Sequence, residues 1–362
     1  MLRAVVAAIV IWAGALSAAF AQDLEHMAGQ MIVVGFQGDS LDDSGVKAML
    51  NDVAAGRVGG VMFLGNNVAS SSQVTAIVSA IRAAAPAGLP PLIALDQEGG
   101  KVERLTAKVG FKEEPTAAEV SAMGEARASA IYNEMANGLM EWGFNTNFGP
   151  VVDLNVNPNN PIIARFGRSF GDNGQEVAGM AGTFINAHHN YGILTALKHF
   201  PGHGSSQADS HEGFVDISKS WSAAELDPYQ RLIGQGMADM IMAGHLFANE
   251  GAAGDSETYP ASLSSYWITD VLRGQLGFGN GVVITDDMEM GAIRQNYGFK
   301  QAILQAVRAG DDILLFSNTA KPRTTLANEV QAILVDEAER DPAFRQRIEE
   351  SYRRIVAMKE RI

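Results

Sequence analysis

Cysteine is absent from the 362 residues of this sequence. A chain without cysteine forms no disulfide, and it offers no thiol nucleophile and no cysteine-ligated metal site. Basic residues are also few, since 27 Lys and Arg stand against 41 Asp and Glu, for a formal net charge of −14 at pH 7. This acidic balance argues against nucleic acid or an anionic membrane surface as a general partner.

The N-terminal stretch MLRAVVAAIVIWAGALSAAFAQ has the composition of a secretory signal peptide. Arg3 precedes a long apolar run, and Ala19 and Ala21 form an A-x-A cleavage pattern. We therefore predict a signal peptide over residues 1–21 and an exported mature protein, either periplasmic or secreted. The alternative is an uncleaved membrane anchor, because residues 4–20 approach the roughly 17-residue minimum for crossing a bilayer. No later segment is long and apolar enough to span, so no stable membrane insertion is expected after cleavage.

Eight short apolar runs alternate with amphipathic helical stretches along the rest of the chain. The runs are nearly continuous in Val, Ile, Leu, Met and Phe, which is typical of parallel strands buried on both faces. Their alternation with helices predicts the α/β class, as a single-domain (β/α)8 TIM-type barrel over residues 22–362. An open doubly wound sheet is the alternative, but no G-x-G-x-x-G follows the first run to support dinucleotide binding. The predicted strands are 31–36, 59–65, 91–97, 146–155, 193–200, 240–247, 281–287 and 311–317, and the predicted helices are 70–85, 116–143, 174–192, 222–237 and the last helices within 320–362.

Polar side chains stand at or near the ends of the predicted strands. Catalytic residues of a (β/α)8 barrel lie at the carboxyl ends of its strands, so this distribution favours an enzyme. Asp287 directly follows Asp286, and an extended strand would turn its side chain to the other face, which indicates a local structural role for Asp287. The strand-end residues are Asp96, Asp153, Asn155, Lys198, His199, His245, Asp286 and Asp287.

The segment KHFPGHGSSQADSHEG, residues 198–213, holds three of the seven histidines. His199 and His203 stand four apart, like zinc ligands on one face of a helix. Pro201 and Gly202 lie between them and disfavour a helix, so we expect no metal here. We expect His203 to shape its loop rather than to touch a substrate.

The tripeptide Asp209-Ser210-His211 in the same loop places a carboxylate two residues from an imidazole. In a turn, such a carboxylate orients the ring and stabilises its protonated form. A histidine with an ordinary pKa of about 6.5 both gives and takes a proton near neutral pH. A solvated loop with an incidental Asp-x-His is the alternative interpretation of the tripeptide alone. The histidines predicted on surface helices are His26, His188 and His189.

Four motifs follow one another along the mature chain. In chain order they are DQEGGKVERL over 96–105, GRSFG over 167–171, KHFPGHG over 198–204 followed by DSH over 209–211, and ITDDMEMGAI over 284–293. Together they resemble the bacterial β-N-acetylglucosaminidases of glycoside hydrolase family 3. The resemblance implies that Asp286 is the nucleophile, that His211 is the acid/base and that Asp209 orients His211. It also implies that the substrate is bound by Asp96, Arg104, Arg168, Lys198 and His199.

The same resemblance implies a retaining β-N-acetylhexosaminidase without a cofactor. Its substrate would be terminal non-reducing N-acetyl-β-D-glucosamine of peptidoglycan fragments or amino-sugar oligosaccharides, cleaved through a covalent glycosyl-Asp intermediate. Three alternatives stay open: a β-glucosidase, an N-acetylglucosaminide phosphorylase on the same barrel, and a catalytically silent exported sugar-binding protein. Many relatives of this type are cytoplasmic, so a cytoplasmic location is the alternative to export. We expect a monomer.

Overall fold

The computed structural model describes residues 24–249 and 259–362. Its strands are Ile32–Gly35 (β1), Gly60–Met62 (β2), Leu92–Leu95 (β3), Thr146–Asn147 (β4), Leu194–Phe200 (β5), Met240–Ala243 (β6), Val282–Thr285 (β7) and Leu314–Phe316 (β8). They pair in parallel in the order β7-β6-β5-β4-β3-β2-β1-β8. A parallel bridge between Ile284 and Ile313 joins the two ends of this order. The sheet is therefore a nearly closed barrel, which confirms the predicted (β/α)8 fold and makes the open doubly wound alternative wrong.

The segments between the strands are mainly helical. In Ser71–Ala84, for example, the hydroxyl of the N-cap residue Ser70 accepts from the backbone N–H of Gln73, and apolar side chains at helical spacing form a buried stripe. Residues 24–30 are helical before β1. The later helices are Ser44–Ala54, Ser71–Ala84, Ala117–Met123, Glu125–Glu141, Gly174–His189, Asp227–Gly234, Gly291–Arg294, Phe299–Ala309, Leu326–Arg340 and Pro342–Lys359, with a π-helix over Tyr266–Gln275. The prediction of helices between the strands and after the last strand is confirmed, with somewhat shorter bounds.

Two predicted elements differ from their sequence patterns. The predicted helix 116–143 breaks at Gly124, whose φ of 81° lies in the left-handed region that a residue with a Cβ adopts only under strain. The predicted strand 146–155 is regular only in β4, because the chain turns at Gly149, whose N–H donates to the carbonyl of Asn147 over 2.9 Å, and the following Pro150 has no N–H for the ladder. Beyond the proline, Val151 forms an isolated parallel bridge to Lys198.

The strand side chains pack into a continuous hydrophobic core. All residues of the eight strands are buried, and Phe63 lies edge to face between Phe36 and Phe144, with ring centroids 5.0 and 5.1 Å apart. Burying a side chain of this size stabilises a fold by about 1.5–3 kcal/mol. The core therefore holds the carboxyl ends of the strands at one face of the barrel, where the polar residues of the sequence lie.

The predicted signal peptide, residues 1–21, lies outside the described residues, so its cleavage stays a prediction. Within residues 24–249 and 259–362, no helix has the length and apolar character needed to cross a membrane.

Candidate active site

A cavity of about 370 Å³ opens at the carboxyl ends of the strands. Its wall includes Asp96 after β3, Lys198 and His199 of β5, and Asp286 after β7. Arg104, Arg168 and His211 reach it from loops. Of the site residues predicted from the sequence, Asp209 alone is not part of the wall, and it contacts His211 directly. The structure thus brings all of these residues to one place.

Asp286 is held at the end of β7 by two hydrogen bonds. Its backbone N–H donates to the carbonyl of Ala243 over 2.9 Å, and its Oδ1 accepts from the N–H of Asp287 over 2.8 Å. Burial alone would raise the pKa of Asp286, but the imidazoles of His199, His245 and His211 and the Asp287 amide hold it below its ordinary value. Asp286 is therefore ionised near neutral pH, as a carboxylate nucleophile must be.

His211 and Asp209 form a hydrogen-bonded pair at the rim of the cavity. The Nδ1–H of His211 donates to Oδ1 of Asp209 over 2.7 Å, and the same oxygen accepts the backbone N–H of His211 over 2.9 Å. Because a carboxylate only accepts, Nδ1 carries a proton and Nε2 is the ring atom left for proton transfer. The imidazole is 64% exposed, so solvent and an incoming substrate both reach it.

Lys198 and Arg104 share the carboxylate of Asp96. Lys198 Nζ donates to Oδ1 of Asp96 over 2.8 Å, and Arg104 Nη2 donates to Oδ2 over 2.9 Å. Burial would raise the pKa of Asp96, yet the two cations hold it far below its usual range. Asp96, Lys198 and Arg104 thus hold one another in place by charge-assisted hydrogen bonds. This arrangement suits them to bind the hydroxyl groups of a sugar by several hydrogen bonds.

Glu98 was not singled out in the sequence, and the structure places it at the centre of the charged network. Arg168 donates to both of its oxygens, through Nε and Nη2, each over 2.8 Å. Lys198 Nζ lies 2.6 Å from Oε1 of the same carboxylate. Burial opposes ionisation, but Arg168 and Lys198 lower the pKa of Glu98 to about 2. Its position two residues after Asp96, on the same side of an extended chain, is the signal that could have identified it.

The sequence matches the glycosyl hydrolase family 3 N terminal domain over residues 23–358. The chain belongs to glycosyl hydrolase family 3. It is 35% identical over 283 residues to a protein of Tolumonas auensis named beta-hexosaminidase, a match that covers 76% of this chain and 80% of the relative. It is 31% identical over 328 residues to beta-hexosaminidase A of Pseudoalteromonas piscicida, covering 84% of this chain and 54%, about half, of that longer relative.

Solved structures agree with the assignment to family 3. The crystal structure of beta-N-acetylhexosaminidase from Beutenbergia cavernae superposes with a TM-score of 0.83 at 31% sequence identity, covering 93% of this chain and 98% of that one. Membership of the family, together with relatives of this similarity over most of the chain, makes this protein a glycoside hydrolase.

Asp153 is a second residue of this family 3 hydrolase whose role only the structure reveals. Its Oδ2 accepts from Nδ1–H of His199 over 2.7 Å, and its Oδ1 accepts the backbone N–H groups of His199 and His203 over 3.1 and 2.8 Å. Burial would raise the pKa of Asp153, but His199 in particular lowers it to about 2. With Nδ1 bound in this way, the other ring nitrogen of His199, Nε2, faces Nη2 of Arg168 over 3.5 Å at the cavity wall. The strand-end position of Asp153 was visible in the sequence, but its partner was not.

His203 and His245 are buried histidines that bond neighbouring groups of the barrel. His203 is buried and bonds Ser206 and Ser210, which agrees with the expectation that it shapes its loop. His245 is buried against Ser262 and the carbonyl of Asp287. Within residues 24–249 and 259–362, no three His, Asp or Glu side chains are grouped so that they could hold a metal ion.

His188 lies on the helix Gly174–His189, as predicted, but its side chain is on the buried face of that helix and not at the surface. The ring is fully buried, stacks on Phe184 at 4.0 Å between centroids and bonds the side-chain amide of Asn147 over 3.0 Å. Burial lowers the pKa of His188 to about 4, so it is neutral near pH 7.

Proposed function

We propose that this family 3 hydrolase is a retaining β-N-acetylhexosaminidase that releases terminal non-reducing N-acetyl-β-D-glucosamine. The observation that carries the proposal is that Asp286 and His211 line one cavity with the charged sugar-binding candidates. The names of the Tolumonas and Beutenbergia relatives support the choice of an amino sugar.

In the first chemical step, a carboxylate oxygen of Asp286 attacks the anomeric carbon while the glycosidic bond breaks. A protonated His211 gives its Nε2 proton to the departing oxygen, so the aglycone leaves as a neutral alcohol. Asp209 stabilises the imidazolium before this transfer through the bond to Nδ1–H. The product of this step is a glycosyl ester on Asp286 and a neutral imidazole.

In the second step, the neutral imidazole of His211 accepts a proton from water. The water oxygen bonds to the anomeric carbon as the ester bond to Asp286 breaks, which restores both residues and gives the sugar with its original configuration. Phosphate in place of water would give a sugar phosphate, and product analysis with and without phosphate distinguishes the two outcomes.

The charged network holds the non-reducing sugar during both steps. Asp96, Arg104 and Lys198 are bonded to one another at the cavity wall, so their remaining donors and lone pairs present a preformed surface to hydroxyl groups. Arg168 and His199 complete this surface. Glu98, which also lines the cavity, holds Arg168, and Asp153 holds His199. These hydrogen bonds and ion pairs order the side chains before the sugar arrives, which reduces the entropy lost on binding.

An exported enzyme would meet amino-sugar polymers or peptidoglycan fragments outside the cytoplasm, and we include this location in the proposal. The A-x-A pattern ending at Ala21 supports it. Cell fractionation with N-terminal sequencing of the mature chain tests it. A protein that stays in the cytoplasm with its N-terminus uncleaved would contradict export, while leaving the reaction itself untouched.

The catalytic roles are tested with a panel of aryl glycosides. Asp286→Ala is expected to abolish turnover of an aryl N-acetyl-β-glucosaminide, and Asp270→Ala, an exposed aspartate in the π-helix, serves as the matched control with unchanged activity. His211→Ala is expected to slow substrates with basic leaving groups by roughly 100-fold or more and activated ones far less. Equal losses on all leaving groups would remove the acid role from His211, and retained activity of Asp286→Ala would move the nucleophile elsewhere.

A further inference from the structure

The loop that carries His211 is bound by the backbone that follows Asp286. The N–H of Gly291 donates to the carbonyl of His211 over 3.1 Å, and the N–H of Ala292 donates to the carbonyl of Ser210 over 3.3 Å. The segment from Asp286 to Gly291 is itself tied to the barrel, since Asp286 bonds across to β6 through its N–H. The loop is therefore held by the same stretch of chain that carries the candidate nucleophile.

A side-chain bond adds to these backbone contacts. The Nε2 amide of Gln295, one turn beyond Gly291, donates to the carbonyl of Glu212 over 3.0 Å. Three consecutive loop carbonyls, those of residues 210–212, thus accept donors from one short segment. Gln295 is exposed, so its contribution can be removed without opening the core.

Gly291 is required at this contact for space. A Cβ at this position would lie 2.7 Å from the carbonyl carbon of Glu212 and 2.8 Å from the carbonyl oxygen of His211. Gly291 does not have a positive φ, so a residue with a Cβ could adopt its backbone conformation. A side chain here would consequently push the loop away rather than strain the helix.

The placement of the His211 imidazole depends on this backbone contact. The ring is 64% exposed, and the hydrogen bond described for it runs to Asp209 in the same loop. On the other side, Ser210 Oγ bonds the buried His203 over 3.1 Å and holds the base of the loop. The bonds from Gly291 and Gln295 hold the loop tip beside the segment that follows Asp286.

We propose that Gly291, assisted by Gln295, is a positioning residue that docks the loop and so places His211 for proton transfer opposite Asp286. This inference rests on the acid/base role proposed for His211. When the loop is docked, one segment of backbone positions both the proton donor, His211, and the nucleophile, Asp286. Undocking would break the bonds to the three loop carbonyls and move His211 away from Asp286.

The test compares Gly291→Ala with Gly298→Ala. The control carries the same substitution a few residues on, where a Cβ meets Gln301 only at an ordinary 3.9 Å. Gln295→Ala is the second variant, in case Gly291→Ala does not fold as judged by circular dichroism and thermal unfolding. Amide hydrogen exchange of residues 205–213 reports docking, and rates on aryl N-acetyl-β-glucosaminides of graded leaving-group pKa report proton donation.

Gly291→Ala is expected to speed exchange in the loop and to slow poor leaving groups roughly 10-fold or more, with activated aryl glycosides changed less than about 3-fold. Gln295→Ala should show the same pattern more weakly, and Gly298→Ala neither effect. Unchanged exchange in both test variants would overturn the docking contact. Faster exchange with no dependence on the leaving group would overturn the positioning role, provided that His211→Ala does show the dependence. If His211→Ala lacks it too, the proposed acid role fails instead.

Discussion

Replacing Glu98 by glutamine removes one charge from the buried network and keeps the shape of the side chain. In the wild type, the carboxylate accepts two bonds from Arg168 and lies 2.6 Å from Lys198 Nζ. The side-chain oxygen of glutamine can still accept a hydrogen bond from Arg168. Its NH2 group, however, would face another N–H donor of Arg168 or Lys198, and two donors cannot bond each other. The substitution also raises the net charge of the network from +1 to +2. The network consists of Asp96, Glu98, Arg104, Arg168 and Lys198. We therefore expect Glu98→Gln to destabilise the protein and to raise KM.

The magnitude follows from the pKa. The neighbouring cations lower the pKa of Glu98 from 4.5 to about 2, and at about 1.4 kcal/mol per pKa unit this corresponds to roughly 3–4 kcal/mol at neutral pH. Breaking a buried pair by removing one partner costs about 3–5 kcal/mol in other proteins. The two estimates agree, so we expect a loss of about 3 kcal/mol in the free energy of unfolding.

The pH dependence has a definite sign. Because the pKa of Glu98 is lower in the folded state, its contribution is fully present above about pH 4.5 and is lost as the pH falls toward 2. The deficit of Glu98→Gln relative to wild type should be constant between about pH 6 and 8 and should shrink below about 4.5.

Urea unfolding followed by tryptophan fluorescence at pH 7 and at pH 4 measures this difference. Glu134→Gln is the matched control, because Glu134 is 54% exposed and pairs with Lys112 at the surface, where an ion pair contributes about 0–1 kcal/mol. If Glu98→Gln unfolds within about 0.5 kcal/mol of wild type at pH 7, the network does not stabilise the fold and the reasoning fails.

Two further predictions concern stability. Glu114 is buried, neither of its carboxylate oxygens has a hydrogen-bond donor among the described residues, and burial raises its pKa to about 7. Ionising this buried carboxyl is unfavourable, so the stability of the wild type falls as the pH rises from 4.5 through 7. Glu114→Gln should therefore be more stable than the wild type by roughly 1–3 kcal/mol at pH 8 and by little at pH 4. Equal gains at both pH values in urea unfolding would contradict this reasoning. Gly124 has a φ of 81°, so Gly124→Ala should lower the stability measured by thermal unfolding by about 1 kcal/mol. Gly179 is exposed within Gly174–His189 with open space at its Cβ, so Gly179→Ala should raise the stability by about 0.5–1 kcal/mol. The same sign for both variants would refute the argument from φ.

The strands and the barrel could be predicted because their signal is local. Each strand is a short apolar run, as in Leu92–Leu95 and Val282–Thr285, and a buried parallel strand needs no polar alternation. The predicted bounds failed where one residue changes the backbone. Gly124 ends one helix and begins another, and the turn at Gly149 and Pro150 interrupts a strand that hydrophobicity alone would continue.

The candidate site divides in the same way. The Asp209–His211 pair is formed by residues two apart, so its geometry was contained in the local sequence. The strand-end positions of Asp96 and Asp286 followed from the barrel prediction. Glu98 and its pairing with Arg168, 70 residues away, did not, because a carboxylate in a motif is visible and its partner is not.

The sequence by itself determined which predicted strands end in polar residues, the absence of thiol chemistry and the residues that carry the family motifs. Only the tertiary structure decided which charges meet: Asp96 with Lys198, 102 residues on, and Asp153 with His199, 46 residues on. It also decided that the His211 loop contacts Gly291. The physical reason is that closing the barrel brings distant strand ends within hydrogen-bond distance in a buried place, where pairing, rather than residue type, sets the charge of each group.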